Sequence, residues 1–256
     1  MPDGGELTAP DTAHTDAYGN AEWTVDYFRE FREADQAQWH PYVYWRRKPF
    51  KGQWINVDVN GVRRTWRATH EAPHEARRIF CFGGSTMWGT GARDEFTIPS
   101  FLARQLDARQ LPADVTNFGE SGYVSTQCLL ALMNELNTGN VPDVVVFYDG
   151  VNDTYSAYQN QVAGIPQNEL HRRREFNGHK KRLAMLGKSY FPGLLCTTGS
   201  LTRRWAASSA PREFEPHAAQ QRHDQLADDV IRHYKANLES IDFLAHRHGF
   251  QALYYW

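Results

Sequence analysis

Short apolar runs alternate with amphipathic segments between residues 77 and 148, and this alternation limits the fold more than any other feature of the chain. The runs at 77–82, 113–118 and 144–148 have the length and composition of strands that are buried on both faces. The segments at 98–110 and 125–137 carry apolar residues at helical spacing. Strands and helices that alternate in this way form parallel sheets with crossover helices. We therefore predict an α/β fold, a three-layer α/β/α sandwich around a parallel sheet.

The residues before this alternation divide into two parts. Residues 1–20 are rich in Gly, Asp, Thr and Ala without periodicity, and we expect them to form a disordered leader. Residues 21–39 carry aromatic and apolar side chains at helical spacing. The following stretch has alternating apolar residues around Gly52 and an Asn60-Gly61 dipeptide, which favours a hairpin. We therefore predict an N-terminal helix and β-hairpin appendage over 21–76, and a main domain over 77–256.

Residues 155–222 interrupt the alternation with the basic clusters HRRREF and HKKR and with stretches rich in Gly, Ser and Pro. We interpret this region as an insertion in the main domain, in the position of a lid. Its basic clusters are typical of a solvated surface, and attraction of an anionic substrate is the alternative. Helical periodicity returns over 224–248, and we predict that the final QALYYW is a further central strand.

The composition limits the partners of the chain. Lys plus Arg number 28 and Asp plus Glu 30, so no net field favours nucleic acid or an anionic membrane, and we expect neither as a partner. Cys81, Cys128 and Cys196 lack CxxC spacing, which argues against a disulfide framework and a zinc site. No phosphate-binding loop is present, so no metal or cofactor is predicted. As written, the chain lacks a secretory signal or membrane span and is expected in the cytoplasm; it carries no signal of an oligomeric state.

The loops that follow the predicted strands are the candidate site, because ligands of parallel α/β sheets bind beyond the carboxyl ends of the strands. The first loop reads GGSTMWG at 83–89, the second NFGESGYVSTQ at 117–127 and the third YDGVND at 148–153. The paired glycines at 83 and 84 let the backbone turn sharply and leave the Ser85 hydroxyl accessible.

These three loops, in this order and each after a predicted strand, resemble the serine, glycine and Gly-x-Asn-Asp blocks of the SGNH hydrolase superfamily, the GDSL-like lipases and esterases. The resemblance covers about residues 77–155 and implies a flavodoxin-like SGNH fold. It implies that Ser85 is the nucleophile, and that the Ser85 amide, the Gly119 amide and the Asn152 side chain are oxyanion-hole donors. Fixed donors of this kind stabilise the negative charge that develops on an ester carbonyl under attack. Trp88 and Tyr123 are candidates for stacking on a sugar ring, with packing in the core as the alternative.

The resemblance implies a serine ester hydrolase that acts through an acyl-enzyme on a small acyl ester, with a carbohydrate O-acetyl ester as one substrate class. Two alternatives stay open. The first alternative is a ligand-binding module that keeps the fold without the chemistry. The second is an O-acyltransferase that uses the same serine.

The general base of this family, a histidine three residues after an aspartate, has no match after Asn152. The spacing occurs at Asp11 and His14, within the leader, where ordering a polar segment is costly. The histidines of the insertion and the last helix are interpreted as solvated: His171, His179, His217, His223, His233, His246 and His248. We therefore expect that the catalytic histidine lies beyond Trp256 and that this 256-residue chain has little esterase activity.

Overall fold

The computed structural model describes residues 18, 19, 21–68, 76–177 and 216–256, and for 216–221 it describes the backbone alone. Several sequence predictions concern segments outside this range. They are the leader up to residue 17 with Asp11 and His14, the part of the insertion at 178–215 with His179 and Cys196, and the side chain of His217.

The elements follow the predicted alternation. In chain order they are α1 (Trp23–Ala34), β1 (Ala37–His40), β2 (Tyr44–Arg47), β3 (Phe50–Lys51), β4 (Asn56–Val57), β5 (Arg77–Gly83), α2 (Ser85–Trp88), a 3₁₀ turn (Asp94–Phe96), α3 (Ile98–Ala108), β6 (Ala113–Asn117), α4 (Ser125–Asn137), β7 (Val144–Tyr148), α5 (Val151–Asn160), α6 (Pro216–His248) and β8 (Gln251–Tyr255). A further helical segment covers 169–177.

The main sheet has the order β6–β5–β7–β8, and all of its neighbouring strands run parallel. Helices cover both faces. One face packs against α4 and α6 through Phe80, Phe82, Val145, Phe147, Cys128, Leu132 and Ile241. The other face packs against α2 and α3 through Ile79, Cys81, Val115, Met87 and Ala103. The predicted three-layer α/β/α sandwich is therefore confirmed.

A row of stacked aromatic rings crosses the face that packs against α4 and α6. Phe82 stacks on Phe118 with ring centroids 5.0 Å apart and on Phe147 at 5.4 Å, and Phe147 stacks on Tyr254 at 5.9 Å. Buried aromatic pairs of this kind contribute about 1 kcal/mol each beyond the area that they bury. The row fixes the strands at their carboxyl ends, next to the loops that the sequence marks as the site.

The N-terminal appendage packs onto the main domain and shares its core. Tyr27 of α1 and Ile55 form a buried cluster with Trp88 of the main domain. Arg63 makes single antiparallel bridges to Val57 on one side and to Asn117, the last residue of β6, on the other. The appendage is thereby joined to the β6 edge of the main sheet.

The structure corrects several boundaries at the N-terminal side. The first helix ends at Ala34 and not at residue 39, because the chain leaves helical geometry at Asp35 and continues into β1, where Trp39 pairs with Trp45. Tyr18, which we placed in the disordered leader, packs on the rings of Trp23 and Phe28, and its hydroxyl donates to Gly91 O at 2.8 Å.

Two boundaries also change in the C-terminal half. Residues 155–160, which we assigned to the insertion, complete α5. The last strand, predicted as central, pairs with β7 alone among the described strands, and its side chains are exposed or half-buried. Its apolar residues pack on α6 and on the end of β7, but not on both faces of the strand. The apolar sequence of the strand was therefore not enough to predict full burial.

Candidate active site

Ser85 directly follows the turn between β5 and α2. The strand ends at Gly83, Gly84 is extended, and Ser85 is the first residue of the one-turn helix. A β-carbon at Gly83 would clash with the carbonyl oxygen of Tyr148 at the end of β7, so only glycine fits there. The turn therefore brings Ser85, half-buried, to the carboxyl end of the two central strands.

The loop between β6 and α4 packs directly on the helix that begins at Ser85. A β-carbon at Gly119 would clash with the backbone nitrogen of Trp88. Asn117 joins the two segments, since its Nδ2 donates to Trp88 O at 3.2 Å and its Oδ1 accepts the Gly119 amide at 3.0 Å. The Gly119 amide, which the family resemblance places in the oxyanion hole, is therefore engaged with Asn117 in this structure.

Gly122 is the residue of this loop that the sequence analysis missed. It adopts a left-handed conformation with φ of 78°. The amides of Glu120, Ser121 and Tyr123 donate to acceptors within or beside the loop. Across the described part of the chain, the Gly122 amide has no such acceptor. NFGESG contains two glycines, and their hydrogen bonds distinguish them in the structure.

Asn152 touches both of the other loops. It is the second residue of α5, which two residues separate from the end of β7. Its Nδ2 donates to the carbonyl oxygen of Tyr123 at 2.8 Å. The same nitrogen approaches Gly84 so closely that a β-carbon there would clash with it. One N–H of the side-chain amide holds the second loop, and the other is available beside the start of α2.

The structure thus brings Ser85, Gly119, Gly122 and Asn152 to one end of the sheet. Among the described residues, neither the hydroxyl nor the amide of Ser85 has a hydrogen-bond partner. A hydroxyl with unpaired donors around it is suited to contact a ligand, because neutral donors can stabilise a developing negative charge without ionising.

Trp88 and Tyr123 do not present their rings to this site. Both side chains are fully buried. The Tyr123 hydroxyl donates to Trp45 O, and the Trp88 ring packs in the cluster shared with the appendage. Our candidates for sugar stacking are therefore core residues, because large aromatic side chains that follow a buried strand gain more from packing than from exposure.

Two buried carboxyl groups, those of Asp149 and Asp153, flank Asn152 in the chain. Asp149 accepts the Tyr234 hydroxyl at 2.9 Å, and Asp153 accepts the Ser125 amide at 2.9 Å and its hydroxyl at 2.5 Å. Asp153 therefore binds the first residue of α4. Burial, reinforced by the Asp153 charge, raises the pKa of Asp149 to about 7. These carboxyl groups fix α4, α5 and α6 around the site.

No described histidine contacts the Ser85 hydroxyl. His233 of α6 lies against Gly164, and the His223 ring lies 6.3 Å from that of Tyr158. Within the described ranges, no group of three or more His, Cys, Asp or Glu side chains could hold a metal ion. None of the helices that the structure describes is long and apolar enough to cross a membrane.

Comparison with known proteins gives a family match. The family described as GDSL-like Lipase/Acylhydrolase matches residues 79–252, which include all three loops. No protein with a curated description matches the chain.

Several solved structures are similar to this chain. One is AlinE4, an SGNH-hydrolase family esterase, with 27% identity over 32% of this chain and 43% of that chain and a TM-score of 0.30. Another is the acetyl xylan esterase AlAXEase, with 20% identity, 69% and 76% coverage and a TM-score of 0.32. A third is a putative lipolytic protein of the G-D-S-L family from Desulfitobacterium hafniense DCB-2, with 14% identity, 70% and 77% coverage and a TM-score of 0.29. The match with AlinE4 spans less than half of that protein, and TM-scores this low support no conclusion about activity.

Proposed function

The chain belongs to the GDSL-like lipase/acylhydrolase family, and from this premise we propose that it hydrolyses small-molecule esters with Ser85 as the nucleophile. The observation that supports this most directly is the position of Ser85. It begins a helix at the carboxyl end of the central strand β5, with Asn152 Nδ2 packed against the preceding residue, Gly84. Among the described residues the Ser85 hydroxyl has no hydrogen-bond partner, and amide donors lie beside it.

The proposed reaction proceeds in two steps. Ser85 Oγ attacks the carbonyl carbon, the alcohol leaves with a proton, and an acyl-serine forms. Water then attacks the acyl-serine, releases the acid and returns the proton to Ser85. In both steps the carbonyl oxygen becomes negative, and the loop donors stabilise it. The acyl group that we propose is short, and an acetylated carbohydrate is the substrate class to test beside a simple aryl ester.

We propose the Ser85 amide, the Asn152 side chain and the Gly122 amide as the oxyanion donors. The first two are the donors that the family resemblance implies. The third replaces Gly119, because the Gly119 amide donates to Asn117 Oδ1 at 3.0 Å and is not free to serve a substrate. Gly122 belongs to the same loop, is adjacent to the Tyr123 carbonyl that Asn152 binds, and has an unpaired amide in the described part of the chain.

The general base has no candidate in contact with Ser85 among the described residues. No Asp-x-x-His follows Asn152 in the sequence, and no described histidine contacts Ser85. We therefore propose that Ser85 in this 256-residue chain is weakly activated. A small diffusible base such as imidazole should then take the proton of Ser85 during attack.

The test is hydrolysis of a short-chain aryl ester by the purified chain, with and without imidazole. We expect low turnover alone and a marked increase with imidazole, both measured above the Ser85→Ala background because imidazole itself cleaves such esters. Efficient Ser85-dependent turnover without imidazole would support the esterase and refute the weak activation. Equal rates for the two proteins in all conditions would contradict the esterase function and favour the ligand-binding alternative.

A further inference from the structure

Arg63 of the appendage is buried against the segment that carries Ser85. Its side chain is fully buried, and its Nη1 donates to the carbonyl oxygens of Trp88 at 3.0 Å and Gly89 at 2.8 Å. Its Nη2 donates to Ala92 O at 2.6 Å. These carbonyls lie at and after the end of α2, where a one-turn helix leaves acceptors without partners inside the helix. Of the three, Gly89 O also accepts the Ala92 amide at 3.0 Å. Arg63 therefore donates side-chain hydrogen bonds to the backbone of the segment that follows Ser85.

The position of Arg63 is fixed from its other side as well. Its Nε donates to Asp94 Oδ1 at 3.0 Å, and Asp94 also accepts Asn56 Nδ2 at 2.9 Å. The guanidinium carbon lies 4.1 Å from the centre of the Trp88 ring. A buried arginine with a carboxylate partner and a hydrogen bond at each of its three guanidinium nitrogens is costly to disturb, because each lost partner leaves a buried polar group unpaired.

Arg47, also in the appendage, holds the loop with the proposed oxyanion donor. Its Nε donates to Glu120 Oε1 at 3.2 Å, its amide to Glu120 Oε2 at 2.8 Å and its Nη2 to Ser121 Oγ at 2.8 Å. Glu120 is fully buried and directly precedes Ser121 and Gly122. The Arg47 guanidinium lies 4.7 Å from the Trp88 ring and forms an ion pair with Asp35.

The guanidinium groups of Arg47 and Arg63 thus both contact the Trp88 ring, and each binds a different loop of the site. Arg63 binds the backbone that follows Ser85, and Arg47 binds the carboxylate and hydroxyl that precede Gly122. A guanidinium can do this because its planar fork presents several donors at fixed angles, which the single ammonium of a lysine cannot reproduce.

We propose that Arg47 and Arg63 are positioning residues: they hold the Ser85 segment and the Glu120–Gly122 loop in the relative geometry that the oxyanion requires. The proposal rests on the esterase function proposed above. It makes the N-terminal appendage a part of the catalytic apparatus of this chain. Neither arginine touches the reacting atoms, so both act through the backbone donors that they fix.

The test compares Arg47→Lys and Arg63→Lys with Arg104→Lys. Arg104 is a matched control, a partly buried arginine that binds Glu95 and lies beside the Phe96 and Phe101 rings. Hydrogen exchange of the 84–92 and 117–123 amides is measured in each variant. Imidazole-supported ester turnover is measured on the same samples after correction for the folded fraction. Ser121→Ala, which removes one acceptor of Arg47, is the milder variant if Arg47→Lys does not fold. Asn56→Ala, which removes a donor to the Asp94 carboxylate that binds Arg63, is the milder variant if Arg63→Lys does not fold.

We expect exchange in the two segments to accelerate by about tenfold in both site variants, with α3 and α4 unchanged. The kcat should fall by about tenfold or more while KM stays within about twofold, because the lost interactions act in the transition state. Two results would overturn the proposal. One is exchange that rises evenly over the molecule, or that rises no more in the two segments than it does in Arg104→Lys. The other is a kcat per folded protein equal to wild type. If wild type lacks Ser85-dependent turnover, the esterase function fails, and the exchange data still decide whether the arginines hold the loops.

Discussion

Asn152 is the side chain on which the three loops converge. Its Nδ2 holds the Tyr123 carbonyl and packs against Gly84, so it fixes the distance between the serine turn and the glycine loop. The proposed role of the same amide as an oxyanion donor requires only its other N–H. An amide suits both tasks, because it donates at every pH and carries no charge that would have to be desolvated.

We predict that Asn152→Ala lowers the kcat of imidazole-supported ester hydrolysis by about 10²–10³-fold, the usual effect of losing one oxyanion donor. KM should change much less, since the donor acts mainly in the transition state. Steady-state kinetics of the variant provide the measurement. Gln159→Ala, which removes an exposed amide on the same helix, is the control and should retain wild-type kcat. Equal losses in the two variants would show that Asn152 matters only for the integrity of α5.

At the level of secondary-structure elements, the site depends on how closely α2 and the β6–α4 loop approach each other. Gly119 lies against the backbone of Met87 and Trp88, and Asn117 bonds across the same contact. Backbone on both sides leaves no flexible side chain that could move aside. The contact therefore transmits any displacement of the loop directly to the helix that begins at Ser85.

Gly119→Ala tests this contact. We expect a loss of about 3 kcal/mol or more in the free energy of unfolding, because the added methyl group meets backbone atoms. Gly139→Ala is the control: its φ of 80° is strained for alanine, but no atom lies within 4 Å of the new β-carbon. It should lose about 1–2 kcal/mol and keep its kcat. Urea unfolding and turnover of the folded protein measure both effects, and equal losses would contradict the close packing.

For the molecule as a whole, stability depends on a buried acid pair between the sheet and the helices. Asp149 at the end of β7 binds Tyr234 of α6, and Asp153 binds Ser125 of α4. The pKa of Asp149 is raised from 3.8 to about 7, chiefly by burial and then by Asp153. Between these values the folded protein holds a proton that the unfolded chain has released, so rising pH lowers stability over this window.

We predict that Asp149→Asn removes this dependence. The asparagine oxygen still accepts the Tyr234 hydroxyl, so the variant should match wild type near pH 4. Near pH 7.5 it should be more stable by up to about 4 kcal/mol, the equivalent of three pKa units. Urea unfolding of both proteins at the two pH values measures the gap. A gap that stays constant, or that reverses in sign, would contradict a protonated Asp149.

The sequence was sufficient to predict the sheet and the loops at its carboxyl end, because continuous apolar runs such as VVVFY are typical of strands in a parallel sheet covered on both faces. It was insufficient for the inner structure of those loops. Alternation in VRRTW would turn Val62 inward and Arg63 outward, whereas Arg63 is buried and Val62 is half-buried. The carbonyl acceptors of Trp88 and Gly89 decide this orientation, and they belong to a segment distant in sequence. The choice between Gly119 and Gly122 depends on a local hydrogen bond, from the Gly119 amide to Asn117 Oδ1, which the residue types alone do not predict.

Covalent labelling with a fluorophosphonate probe in the presence of imidazole tests the role of Ser85 most directly. The probe reacts with a serine that is nucleophilic and flanked by oxyanion donors. We predict one adduct per chain, located at Ser85 by peptide mass spectrometry and absent from Ser85→Ala. An unlabelled wild-type chain, or equal labelling of the two proteins, would contradict the assignment of Ser85 as the nucleophile.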